Sequence, residues 1–125
     1  MNRTLSLFFL LLLLGCKSKE SAPEQDFSYE DDKLTPVQHG QKIFEGKGNC
    51  TACHQPEQKI IGPSLKEIAS VYKNRDGAIV KFLKEESEPI VDPAQYAAMK
   101  VNFTVTKRMT DEELQALEAY IYSIK

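Results

Sequence analysis

Cys50-Thr51-Ala52-Cys53-His54 is the stretch that decides how this chain folds. It sets two thiols three positions apart and an imidazole directly after the second. Such a cluster serves three chemistries. A structural zinc site needs four ligands, and the chain offers only His39 besides His54 as a further imidazole. A thioredoxin-type redox pair expects a strand before it and a βαβ setting, and no stretch here alternates as a strand does. What remains is addition of both sulfurs across the vinyl groups of one porphyrin. That forms two thioether bonds and brings the adjacent His beneath the iron. Cys50 and Cys53 are therefore the expected attachment points of one covalently held haem c. His54 is the expected fifth ligand of its iron.

Outward from the motif, the chain reads as helices with legible starts. Thr35-Pro36-Val37-Gln38 offers an N-cap, Pro at the first helical position and Gln at the third. That helix is expected to run to about Glu45 and stop at Gly46. Ser64-Leu65-Lys66-Glu67 is a second capping box, opening a helix through Tyr72. Asp76 is expected to cap a third carrying Ile79, Val80, Phe82 and Leu83, and Asp92-Pro93 to start a short fourth. Thr110-Asp111-Glu112-Glu113 opens the last, where Leu114, Leu117, Ile121 and Ile124 form one apolar stripe. The class is all-α, about five short helices around a haem that fills the centre of a core too small to stand alone.

The N-terminal part is different in kind. Arg3 precedes a run of leucine and phenylalanine over 5–14, too short for a membrane span but suited to the apolar part of an export signal. It ends in Leu13-Leu14-Gly15-Cys16, which resembles the lipobox of bacterial lipoproteins. Residues 1–15 are thus expected to be removed, and Cys16 to carry acyl chains that anchor the protein to a membrane. This also resolves the odd cysteine count, since Cys16, Cys50 and Cys53 each gain a covalent partner without a disulfide. Residues 17–33 hold three lysines against six acidic residues and no apolar periodicity. The segment 16–34 therefore reads as a lipidated flexible tether, followed by one domain over 35–125. From residue 34 onward there are twelve basic and twelve acidic side chains, so nothing argues for nucleic acid.

Over nearly all of 35–125 the order of parts resembles the class I single-haem cytochromes c of bacteria. These are a helix, the CXXCH motif, Gly62-Pro63-Ser64-Leu65, middle helices, a Met-bearing loop and a C-terminal helix. The resemblance implies that Gly40 and Phe44 on the first helix cross the last helix at Leu117 and Tyr120. It implies that the Pro63 carbonyl accepts the imidazole N–H of His54, fixing its tautomer. For the sixth ligand, a thioether suits electron transfer, and Met99 and Met109 are the candidates. Met99-Lys100-Val101-Asn102 resembles the family's Met-Pro-Pro-Asn loop, in which the Asn supports the sulfur. Met99 is therefore the expected ligand and Asn102 its support, although Lys100 and Val101 replace both prolines. The path over 103–108 to the last helix is also longer than expected. Met109 sits where an apolar residue staples the helix start against Leu114. His39 reads as a surface or packing residue. Lys42, Lys47, Lys59, Lys100 and Lys107 are candidates for a ring that steers a partner.

The implied function is one-electron transfer between redox proteins of the cell envelope, with no small-molecule substrate and no enzymatic turnover. A haem peroxidase or gas sensor would instead need an open distal site. A fixed electron-accepting subunit of a larger oxidoreductase complex is a third possibility. The expected location is a bacterial membrane facing the periplasm. Lys17, where inner-membrane lipoproteins commonly carry Asp, points towards the outer membrane.

Overall fold

The computed structural model describes residues 33–125. The expected leader, the expected lipidation site Cys16 and the expected tether up to residue 32 lie outside the described residues. Six α-helices follow in order: α1 (Pro36–Glu45), α2 (Leu65–Val71), α3 (Ala78–Leu83), α4 (Tyr96–Lys100), α5 (Phe103–Thr106) and α6 (Asp111–Ser123). Two 3₁₀ turns, Cys50–Ala52 and Pro93–Gln95, stand before α2 and α4. Among the described residues no strand forms, only an isolated bridge between His54 and Lys59. The all-α reading is correct, with one helix more than expected.

Both long helices begin as their sequences dictate. Thr35 Oγ1 accepts from the Gln38 N–H at 3.3 Å while Gln38 Oε1 accepts from the Thr35 N–H at 3.0 Å. Thr110 and Glu113 make the same reciprocal pair at the start of α6. Each box satisfies two donors that a helix start would otherwise leave unpaired. Glu113 also pairs with Lys47, tying the end of α1 to the start of α6. That ion pair holds the Glu113 carboxyl below its ordinary value.

α1 and α6 form the principal helix contact of the domain. Gly40, Ile43 and Phe44 are buried on α1, and Leu114, Ala116, Leu117, Tyr120 and Ile121 on α6. The Phe44 and Tyr120 rings lie 5.4 Å apart at 57°, an attractive tilted geometry. Gly40 is where the backbones meet, because a Cβ there would sit 2.5 Å from the Ala116 carbonyl carbon. The crossing implied by the resemblance is therefore present, set by one missing side chain.

The starts of the middle helices depart from expectation. Ser64 caps α2 through its hydroxyl, 3.1 Å from the Glu67 N–H. Asp76, however, does not cap α3. The N-cap is Gly77, in the left-handed region at φ 75°, and it has no side-chain cap of its own. Glu118 of α6 takes that role, accepting from the Gly77 N–H at 3.2 Å and the Ile79 N–H at 3.1 Å. A carboxylate at a helix start satisfies orphan N–H groups and matches the helix dipole, whatever its distance along the chain. Asp92 precedes Pro93 where the next helical stretch opens as expected, as the 3₁₀ turn Pro93–Gln95 running into α4, and makes no side-chain cap bond. It pairs instead with Lys59 at 2.7 Å.

Candidate functional site

The segment after α1 is built to turn sharply. The Gly48 N–H donates to the Ile43 carbonyl at 2.8 Å, and Asn49 takes a left-handed conformation at φ 50°. The 3₁₀ turn then closes through Cys53 N–H and His54 N–H, both donating to the Cys50 carbonyl at 3.1 and 2.9 Å. This turn brings Cys50, Cys53 and His54 onto one wall of a cavity of about 470 Å³. The volume lies within the range of cofactor and small-molecule sites. Its interior is apolar, furnished by Phe44, Leu65, Ile79, Phe82, Leu117 and Ile121 among others.

His54 is oriented by its surroundings. Its Nδ1 lies 2.7 Å from the Pro63 carbonyl oxygen. A carbonyl can only accept, so Nδ1 carries a proton, and a metal bound here would be met by Nε2. Gly62 packs flat against the ring, where a Cβ would come within 2.5 Å of Cε1 and 3.0 Å of Nε2. The loop between His54 and α2 is itself fixed, with Gly62 N–H on the Cys53 carbonyl at 2.8 Å and Leu65 N–H on the Gln55 carbonyl at 3.0 Å. The imidazole is thus held in one tautomer and one plane, as a metal ligand needs.

The two cysteines are free of any disulfide. Burial, with the Cys53 thiol beside it, pushes the Cys50 thiol up to about 11. Its sulfur lies 3.4 Å from the Gly48 carbonyl oxygen. Among the described residues no group of three or more His, Cys, Asp and Glu converges as a metal cage would. The donor set suits an axial imidazole with two covalent sulfurs, not a zinc tetrahedron.

Met99 lines the same cavity as His54, and so does Asn102. Met109 lies elsewhere, partly buried against the core and facing the Leu114 side of α6. Asn102 takes a position the sequence did not suggest: its Nδ2 donates to the Gly48 carbonyl at 3.3 Å. That bond joins the Met-bearing segment to the one preceding Cys50. Lys47, Lys59, Lys100 and Lys107 are all ion-paired to carboxylates, and among the described residues no lysine lines the cavity. Its mouth is apolar instead, with Ile61 53%, Ile90 39% and Val101 76% exposed. Those residues escaped sequence reasoning because isolated surface hydrophobics carry no signal until the fold gathers them.

A small helical domain wrapped on an apolar chamber, with two thiols and an oriented imidazole on one wall, defines a haem-holding class of protein. Comparison with known proteins agrees. The family described as Cytochrome c matches residues 37–125. Cytochrome c-551 of Stutzerimonas stutzeri is 30% identical over 92 residues, covering 71% of this chain and 80% of that protein. Cytochrome c-551 of Pseudomonas aeruginosa is 28% identical over 86 residues, 66% of this chain and 74% of that protein. Cytochrome c-552 of Nitrosomonas europaea is 56% identical over 32 residues, 26% of this chain, a match spanning only 31% of its own length. The chain belongs to the cytochrome c family, and its cofactor is covalently bound haem c with its iron.

Proposed function

We propose that this protein carries single electrons between redox partners outside the cytoplasm, tethered to a membrane by lipid on Cys16. The observation that carries the electron-transfer reading is the convergence of Cys50, Cys53, His54 and Met99 on one apolar cavity. Haem iron supplies a centre that gains and loses one electron, at a potential set by its axial ligands and by burial. The chain's own residues do the rest. Cys50 and Cys53 fix the ring covalently through repeated turnover. His54, with Nδ1–H on Pro63, offers Nε2 on one side, and Met99 offers a soft, neutral sulfur as the sixth ligand. With His54 and Met99 both holding the iron, no position would be left on it for a substrate, which sets this reading apart from a peroxidase or gas sensor. The apolar walls keep water out, and the rim of Ile61, Ile90 and Val101 offers a partner protein a surface to meet.

Met99→Ala tests the ligand assignment. The reduced parent is expected to take up carbon monoxide slowly and the variant rapidly, by a factor of about 100 or more if a ligand worth a few kcal/mol is lost. The variant's oxidised spectrum should also change from six- to five-coordinate or water-bound. An unaltered spectrum and unaltered uptake would remove Met99 as ligand.

Attachment to the membrane rests on the leucine run and on Leu13-Leu14-Gly15-Cys16. The polar segment 17–33 is suited by composition to a spacer that lets the domain reach two partners at high effective concentration. Lys17 favours the outer membrane, with the domain facing the periplasm. Cys16→Ser should leave haem incorporation intact and shift the protein from the membrane to the soluble fraction. Unchanged partitioning would count against the anchor.

A further inference from the structure

No proline stiffens the chain after Met99, since Lys100-Val101-Asn102 follow it directly. A ligand on such a segment needs some other device to hold it. The structure supplies one in α5, the helix the sequence did not suggest. A run of hydrogen bonds leads away from Met99. Its carbonyl accepts from the Asn102 N–H at 2.9 Å, and the Asn102 carbonyl accepts from the Val105 and Thr106 N–H groups at 2.9 and 3.1 Å. The Thr106 hydroxyl then donates to the Leu83 carbonyl at 2.7 Å. Leu83 ends α3, where the last carbonyls of a helix have no partner within it. Thr106 is fully buried, at 0% exposure.

Two further contacts close the same junction. The Phe103 ring meets Phe82 of α3 edge-on, 5.5 Å away at 76°. Glu85, just past α3, pairs with both Lys100 and Lys107, one on each side of α5. Exposed ion pairs hold little by themselves. The buried hydroxyl-to-carbonyl bond is the stronger element, because breaking it strands a carbonyl away from water.

We propose that α5 is a clamp that sets the position of Met99, with Thr106 as its positioning residue. Thr106 is not among the residues that line the cavity. It anchors the helix whose first carbonyl acceptor, Asn102, is bonded back to Met99. The inference rests on Met99 as the sixth ligand, so its test carries that assignment as a separate arm.

Carbon monoxide uptake by the reduced, full-length holoprotein reports how often the sulfur leaves the iron. The sulfur–iron charge-transfer band of the oxidised protein reports how well it is seated. Thr106→Val should raise the uptake rate roughly tenfold, the factor corresponding to about 1.4 kcal/mol for one lost buried hydrogen bond, and weaken the band. Thr106→Ser should restore both. Ile43→Val, in the α1 core away from the cavity, should lower global stability without altering either readout. If Thr106→Val does not fold, Thr106→Ala removes the same hydroxyl without adding a methyl group. Parent-like uptake in whichever of these two folds overturns the clamp, as does an equal rise in Ile43→Val. Met99→Ala separates the two claims. If it matches the parent, the ligand assignment falls and the clamp with it. If it binds carbon monoxide rapidly while Thr106→Val does not, the clamp alone falls.

Discussion

A Gly40→Ala chain is expected to lose about 3 kcal/mol of stability or more, the upper end of what overpacking a core costs. Helix propensity alone argues the opposite, since alanine is favoured over glycine by about 1 kcal/mol inside a helix. Packing decides the sign. The added Cβ would lie 2.5 Å from the Ala116 carbonyl carbon and 2.8 Å from the Tyr120 Cβ, and closer still to the Ala116 carbonyl oxygen. Two of these are backbone atoms of α6, which cannot turn aside as a flexible side chain can. α1 and α6 must therefore separate, and the Phe44–Tyr120 contact opens with them. Denaturant midpoints of the holoproteins measure the effect. A variant as stable as the parent would mean that the two backbones do not meet at Gly40.

Gly62→Ala should strike the cofactor side of the domain without comparable harm to the helix crossing. Gly62 is not among the described residues with positive φ, so alanine meets no backbone penalty there. It meets the His54 ring, at 2.5 Å from Cε1 and 2.9 Å from Nδ1. To make room the imidazole must tilt, and the 2.7 Å bond from Nδ1 to the Pro63 carbonyl lengthens or breaks. Partners that orient a metal-bound histidine are typically worth about 10- to 100-fold in metal affinity. The haem stays attached through its two thioethers, so the loss appears at the iron. A raised midpoint potential, since an imidazole without that bond is less basic and stabilises ferric iron less, and a partly high-spin oxidised spectrum are expected, with near-parental helix content. A spectrum and potential equal to the parent's would mean that the ring is not confined by Gly62.

Local chemistry explains which parts of this architecture could be read from the sequence. The boxes at Thr35 and Thr110 involve residues three apart, so composition and position sufficed. CXXCH is likewise a local motif whose spacing is its function. The cap of α3 was misread for the opposite reason. Asp76 is the obvious local candidate, yet the bonds come from Glu118 on α6, a partner that only the packed fold brings near. α5 was missed because Phe103-Thr104-Val105-Thr106 has low helix propensity and no local cap. It is held by tertiary contacts to α3. Asn102 was assigned to the sulfur by resemblance, and its bond to the Gly48 carbonyl crosses between two segments no local pattern connects. The cavity was legible only in outline. Two thiols and a histidine announced one wall and the Met99-Asn102 pattern a facing residue, while the apolar rim of Ile61, Ile90 and Val101 depended on three separate segments meeting in the fold.

Mass spectrometry of the peptide containing Cys50, Cys53 and His54, taken from protein purified out of its native envelope, tests the core of this account most directly. A single haem bound through both sulfurs, surviving extraction with acidified organic solvent, is the predicted result. A colourless protein with two unmodified thiols, or a pigment that washes out in acid, would contradict it.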